Sequence, residues 1–284
     1  MSHSLAQTET PIPPSRVCNG RGLSSSPGGV DERPNERSVL VRAAQLLSSF
    51  GSDRPVMTLA ELVSESAMPK STVHRLAEQL VLLGWLERDP NGYRIGIRLF
   101  EIGGLADRYK ILRDCAMPHL HALSARTGLA VQLGVLHETN VVYLERILVR
   151  GFQLPTRQGG RMPAYCTALG KALLAFGSAA DVERLMSVTL TAFTRNTMAS
   201  PNALLRELAQ ARQAGYAQDR EEAYAGVSCI SVPLRGSGRA VAAFSLCGRP
   251  SQVSVSEHLP QMERVAAAVW ADVIGHGSQP GSFS

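Results

Sequence analysis

The stretch Thr58–Gly84, TLAELVSESAMPKSTVHRLAEQLVLLG, decides the fold of the first third of this chain. Thr58 and Glu61 stand at the spacing of a reciprocal capping box, with Met57 and Leu62 at the staple positions on either side. This predicts a helix opening at Thr58. A second helix is predicted after Met68, with Pro69 at its first position, where the missing N–H costs nothing. Val73, Leu76, Leu80 and Leu83 recur at steps of three and four and form one apolar face. Lys70, Ser71, Thr72, His74, Arg75 and Gln79 are left on the outer face, all able to donate to phosphates or base edges. A buried stripe behind a polar face is the anatomy of a helix-turn-helix, whose second helix enters the major groove. An ordinary amphipathic helical hairpin has the same stripe, so these residues alone do not choose between the two.

The flanks choose. Upstream, SVLVRAAQLLSSFG places Leu40, Ala43, Leu47 and Phe50 at helical spacing and stops at Gly51. Downstream, Trp85-Leu86 and Tyr93-Arg94-Ile95 are strand candidates around the dense turn signal Asp89-Pro90-Asn91-Gly92. Three helices followed by one hairpin predict a winged helix-turn-helix over 36–98. Arg88 and Arg94 flank the wing tip, where they can reach backbone phosphates or a minor groove. Arg75 has the planar fork for a bidentate contact to a guanine edge, unless Glu78 or Glu87 takes it as an ion pair. Ser71 and Thr72, near the helix start, suit phosphates.

Bulk charge does not support this reading by itself. The net charge is +5, but residues 36–98 carry eight Lys/Arg against seven Asp/Glu, a net of +1. DNA recognition would therefore rest on the placement of a few side chains.

The remaining chain is read as a second domain. Residues 1–35 are rich in Pro, Ser and Gly and predict a disordered tail. Residues 99–112 read as a linker helix interrupted at Gly103-Gly104. Over 113–278, a helix ends at Gly128 with Leu120 and Leu123 inward. LAVQLGVL and NVVYLERI then form a hairpin, 151–165 are loop and edge strand, and a helix starts near Thr167. Another helix runs from Ser200 to Gly215, two strands follow (CISVPLR and RAVAAFSLCG), and a helix closes the chain from Glu257 to Ile274. Hairpins dominate, so the domain is α+β with a largely antiparallel sheet.

Several function classes are disfavoured. Five scattered cysteines without a CxxC pair argue against a disulfide framework and a zinc finger, and for a reducing compartment. His119 and His121, two apart on a helix, do not make a metal pair. No apolar run approaches the ~20 residues of a membrane span, and the N-terminus lacks a signal-peptide pattern. The expectation is a soluble cytoplasmic protein without cofactor or metal. Cys166 and Cys229 are possible nucleophiles, but neither has a base nearby in sequence. A small-molecule-converting enzyme using one of them is the alternative reading. Lys171 in ALGKALL is a lysine of the kind that Schiff-base chemistry uses, but it reads as a helix-surface or structural lysine.

In the second domain, the helix start at Thr167, Ala168 and Leu169 offers free N–H groups suited to a carboxylate. Asp219, Cys229, Ser231 and Ser245 can add side-chain hydrogen bonds.

Taken in order, RAAQLLSSF, TLAELVSESAMPKSTVHRLAEQLVLLGWLERD, YRIGIRLFEIG, YCTALGKALLAF, GYAQDREEAYAGVSCISVPLR and AVAAFSLCG resemble the IclR-type bacterial transcription regulators over about Arg37 to Gly248. The resemblance implies a winged-helix DNA-binding domain, a linker helix and a GAF-like α/β effector-binding domain. It implies a homodimer or homotetramer on a pseudo-palindromic double-stranded DNA operator, answering to a small organic effector such as a carboxylic or aromatic acid. It also places the effector site at the helix start after Cys166 and at the positions of Asp219, Cys229 and Ser245.

Overall fold

A computed structural model describes residues 38–51, 54–105, 109–236 and 238–277. The expected tail, 1–35, lies outside the described residues. The first part of the chain contains α1 (Val39–Leu47), β1 (Val56–Met57), α2 (Leu59–Ser66), α3 (Lys70–Leu82), β2 (Leu86–Asp89), β3 (Gly92–Ile95) and α4 (Ile97–Gly104).

The capping box at the start of α2 is complete: the Glu61 N–H donates to Thr58 Oγ1 at 3.2 Å, and the Thr58 N–H to Glu61 Oε2 at 2.7 Å. Met57 and Leu62, the staple pair, are both fully buried. Ala67, in the left-handed region at φ 54°, ends α2 and makes the tight break. Pro69 is one position earlier than the sequence predicts. It is the N-cap of α3, with ψ 140°, and its carbonyl accepts from the N–H groups of Thr72 and Val73.

The buried face of α3 is Val73, Leu76, Ala77 and Leu80. Leu83, expected to complete it, is 60% exposed. The cause is the helix end. Gly84, at φ 69°, reverses the chain, the Trp85 N–H returns to the Leu80 carbonyl and the Gly84 N–H to that of Val81. This Schellman closure sends Leu83 outward and lets Leu86 fill the core in its place. In α1, Leu46 and Phe50 are buried, whereas Leu40, expected on the same face, is 77% exposed.

The wing is β2 paired antiparallel with β3, but β1 also pairs with β3, giving the order β1-β3-β2. A two-residue strand carries too little pattern to be seen in the sequence. Gly92, at φ 142°, is required where it packs, because a Cβ there would come within 2.2 Å of the Met57 carbonyl oxygen. Gly103 and Gly104 form the last turn of α4 instead of interrupting a longer helix.

The second part begins with α5 (Lys110–Thr127), closed by Gly128 in the left-handed region. Residues 110–112, expected in the linker, belong to this helix. There follow β4 (Ala130–His137), β5 (Asn140–Ile147), β6 (Arg161–Pro163), α6 (Ala168–Ala175), α7 (Ala179–Met186), α8 (Pro201–Ala214), β7 (Ala217–Arg220), β8 (Ser228–Leu234), β9 (Ala242–Gly248) and α9 (Val255–Gly277). The six strands form one antiparallel sheet in the order β6-β5-β4-β9-β8-β7. This is the α+β arrangement that the hairpin pattern predicts.

The sheet is covered on both faces, which explains why every residue of β9 is buried. Val131, Leu133, Ile230, Val232, Phe244 and Leu246 point to one face and pack on α5 and α9. The opposite face meets α6, α7 and α8 through Leu169, Leu173, Leu185, Leu204 and Leu208. On that second face the strands also carry polar residues, Gln132, Ser231 and Ser245, all buried. Buried polar groups need partners, and these mark the site described next.

Candidate functional site

The outer face of α3 carries the polar residues expected there. Lys70, Ser71, His74, Arg75 and Gln79 are exposed, and Thr72 is half-buried. Both carboxylates that compete for Arg75 are engaged elsewhere. Arg88 Nη2 donates to the two oxygens of Glu78 at 2.7 Å each, and the Tyr93 hydroxyl donates to Oε1 at 3.0 Å. Glu87 accepts the Ile97 N–H at 2.9 Å. Arg75 has no ion pair among the described residues. Its guanidinium is left to solvent at the middle of the exposed face.

The wing arginines are placed differently. Arg88 also lies over the Tyr93 ring, 5.6 Å from its centroid, so it ties the wing to α3. Arg94 is ion-paired with Asp89 across the turn. The hydrogen bond from Tyr93 and the pairing with Arg88 hold the Glu78 carboxyl below the usual carboxylate range. Burial and the adjacent Glu78 push the Tyr93 hydroxyl up.

In the second part of the chain, six of the eight sequence candidates converge. Thr167, Ala168 and Leu169 of the α6 start, Asp219 of β7, Cys229 of β8 and Ser245 of β9 line one cavity of about 20 Å³. Thr167 caps α6 by accepting the Gly170 N–H at 3.0 Å. Ala168 and Leu169 carry first-turn N–H groups, for which a helix supplies no internal acceptor. Cys166 and Ser231 stand outside the lining. The Cys166 thiol donates to the Pro163 carbonyl at 3.4 Å, and the Ser231 hydroxyl to the Phe244 carbonyl at 2.9 Å.

Sequence reasoning missed Gln132, Tyr143, Thr156 and Tyr224, which share the lining. Gln132 Nε2 donates to Thr156 Oγ1 at 2.5 Å, and the Cys247 thiol to Gln132 Oε1 at 3.4 Å. Gln132 thus latches the loop to the sheet. Its signal was present, a lone amide inside the apolar run LAVQLGVL. Tyr143 and Thr156 carried no such mark.

Burial dominates the electrostatics. It raises the Asp219 carboxyl to about 7, against the opposing effect of the Glu222 N–H, which donates to Asp219 Oδ1 at 2.6 Å. Below Asp219, Lys171 is fully buried, and its Nζ donates to Glu222 at 2.7 Å and Glu207 at 3.1 Å. It is a structural lysine. Burial also outweighs Lys171 at Glu222, whose carboxyl is pushed up, and Glu222 Oε2 is buried without a hydrogen-bond partner. Burial raises the Cys166 thiol well above its ordinary value. The neighbouring Cys247 and burial do the same for Cys229. Neither sulfur is poised as a thiolate nucleophile.

Among the described residues no group of three or more His, Cys, Asp or Glu side chains is arranged to hold a metal ion. No helix among them is long and apolar enough to cross a membrane.

Comparison with known proteins bears on both halves. The IclR helix-turn-helix domain family matches residues 39–90, and the family of bacterial transcriptional regulator IclR C-terminal domains matches residues 106–272. The chain is 36% identical to the HTH-type transcriptional regulator XynR of Escherichia coli, over 76% of this chain and 88% of that protein. It is 32% identical to KdgR of the same organism, over 72% and 79%. Among solved structures, an IclR homologue from Microbacterium hydrocarbonoxydans complexed with 4-hydroxybenzoate superimposes with a TM-score of 0.76 at 31% identity. That match covers 84% of this chain and all of the other.

Proposed function

Because the chain belongs to the IclR family of DNA-binding bacterial transcription regulators, we propose that it controls promoters from a pseudo-palindromic operator in the cytoplasm, under a small organic acid bound at the Asp219 cavity. The family's members are regulators with an effector-binding C-terminal domain, not enzymes. The thiols of Cys166 and Cys229 are accordingly packing and lining groups.

One observation carries the reading: a single chain holds an exposed recognition face with an unpaired Arg75 and a cavity where buried polar groups converge. On DNA, Arg75 reads a guanine edge from the major groove. Ser71 and Thr72 bond phosphates, and Lys70, His74 and Gln79 complete the groove contact. Arg88 and Arg94 position the wing against the backbone. In the cavity, Thr167, Ala168, Leu169, Asp219, Cys229 and Ser245 hold the effector, now joined by Gln132. The family relative bound to 4-hydroxybenzoate supports aromatic acids as the first ligands to try.

Val39 and Leu40 of α1, and Ile97, Phe100 and Leu105 at α4, are large apolar side chains left exposed, which supports a homodimer or homotetramer that covers them. A two-fold dimer on half-sites one helical turn apart matches a pseudo-palindromic operator. The last turn of α4, at Gly103-Gly104, is the hinge. An effector changes operator affinity only if it binds the DNA-competent and incompetent arrangements unequally. The test is an operator titration at fixed salt with and without aromatic and short-chain acids. A shifted midpoint is expected. If no acid that binds the protein changes either operator affinity or promoter output, the switch is absent.

A further inference from the structure

One row of side chains crosses the cavity face of the sheet. Asp219 of β7 stands opposite Cys229 of β8, Cys229 opposite Cys247 of β9, and Cys247 opposite Ala130 of β4. Two cysteines are therefore direct neighbours on adjacent antiparallel strands. Both thiols are free and buried, and the two side chains meet as a hydrogen-bonding pair.

Register alone sets their separation. Residues directly opposite on antiparallel strands have Cα atoms about 4.5 or about 5.5 Å apart, and a disulfide spans about 4.4–6.8 Å. Either kind of pair can be bridged without a change of register. The Cβ atoms of such pairs lie about 4.5–5.5 Å apart, against about 3.5–4.5 Å in a disulfide. Bridging must draw β8 and β9 together by about 1 Å at this row. The other described cysteines, Cys115 and Cys166, have no such register partner. Cys115 lies on α5 beside His276, and Cys166, in the turn before α6, donates to the Pro163 carbonyl.

The pair is joined to the cavity wall. Cys229 lines the cavity, and both cysteines pack with Ala168 and Leu154. The Cys247 thiol donates to Gln132 Oε1 at 3.4 Å, and Gln132 Nε2 holds Thr156. A bridged Cys247 has no proton to donate. Gln132 then loses the contact that orients its amide toward Thr156.

We propose that Cys229 and Cys247 are a dithiol site that hydrogen peroxide closes to a cross-strand disulfide, reshaping the Asp219 cavity and changing operator affinity. Only the change in operator affinity rests on the regulator reading of the chain. The oxidation has two stages. One thiol attacks a peroxide oxygen, breaks the O–O bond, becomes a sulfenic acid and releases water. The second thiol then attacks that sulfur, forms the S–S bond and releases a second water. Two thiols lose two electrons and two hydrogens, and one peroxide is reduced to two waters. The first attack falls to Cys229, because Cys247 is fully buried and does not line the cavity. The Cys247 neighbour and burial keep the Cys229 thiol protonated, so this stage is slow at neutral pH and speeds up as the pH rises. The second stage is intramolecular between groups already in contact.

The test treats the folded full chain with hydrogen peroxide, blocks remaining thiols with N-ethylmaleimide in denaturant and maps tryptic peptides. Cleavage after Arg220, Arg235, Arg239 and Arg264 leaves the two cysteines in separate peptides, 221–235 and 240–264. These should appear joined, in a yield that rises with pH, and should separate after dithiothreitol. Operator affinity of the same samples should shift by about fivefold or more on oxidation and return on reduction. Cys247→Ser, with its thermal unfolding midpoint as fold control, should show no such shift. Two freely alkylated thiols after peroxide, or a bridge from either one to another cysteine, overturn the dithiol site. A bridge that leaves operator affinity unchanged overturns its control of the operator. A reduced chain that binds no operator, while the peptides still link, fails the regulator reading and leaves the dithiol standing.

Discussion

Arg88 sits on Glu78 through two 2.7 Å contacts, and this pairing is what leaves Arg75 without a carboxylate. Glu78 lies one turn beyond Arg75 on α3, at a spacing where the two side chains can meet. The wing supplies a better partner. By returning from Gly84, it brings Arg88 and Tyr93 onto the same carboxylate and neutralises it. The wing thus sets the charge of the recognition helix as well as flanking it.

Arg75→Ala should weaken operator binding by about 1–3 kcal/mol, the range for losing one bidentate base contact. Arg75 is exposed and unpaired, so the unfolding midpoint should hardly move. A titration at fixed salt decides: unchanged operator affinity would remove Arg75 from the base-reading set.

Glu78→Gln should loosen the wing. The neutral amide keeps a hydrogen bond to Tyr93 but loses the charge that holds Arg88, and Arg88 is then free to swing toward DNA phosphates. Because the Glu78 carboxyl is depressed in the folded chain, the pairing persists above the ordinary carboxylate range. It is lost as the pH falls through the lowered value. Faster amide exchange over 86–95 in the variant, without global unfolding, is the expected signature. Identical exchange in the two proteins would mean that hairpin packing alone holds the wing.

The recognition helix was legible because its apolar period and capping residues are local. Leu83 was misread for an equally physical reason: its direction depends on the Gly84 turn beyond the helix end, not on the period. The cavity was half legible. Thr167 announces itself as a helix cap, and Gln132 as an amide in an apolar strand. Tyr143 and Thr156 become lining residues only when the sheet forms and the β5–β6 turn folds over it. Strand β7, AQDR, has no apolar alternation, and its pairing with β8 is what carries Asp219 inward. The burial of Lys171 was hidden most deeply, since its partners lie 36 and 51 residues away.

Asp219→Asn should flatten the pH dependence of stability. The folded chain holds the Asp219 proton up to about 7, whereas the unfolded chain releases it near 4. Stability therefore falls as the pH rises from about 4 to about 7, then levels off. Asparagine does not titrate and can still accept the Glu222 N–H. Between pH 5 and 8 the wild type should lose about 2 kcal/mol more stability than the variant. Parallel curves from denaturant unfolding across that range would show that Asp219 is solvated and ordinary.

Lys171→Met tests what supports the cavity floor. The lysine is fully buried between Glu222 and Glu207, and removing one member of a buried ion pair leaves uncompensated charge. The loss should be about 3–5 kcal/mol, read from the urea midpoint at constant slope. Glu222 also donates its N–H to Asp219, so the disturbance should reach the cavity, and effector affinity should fall with stability. Pairing Lys171→Met with Glu222→Leu removes both charges, leaving Glu207, which is partly solvated. Apolar packing in place of a buried ion pair is often neutral or stabilising, so the double variant should regain much of the lost stability. A double variant no more stable than the single one would mean that Lys171 serves Glu207 in the main, and that the Glu222 contact adds little to the floor.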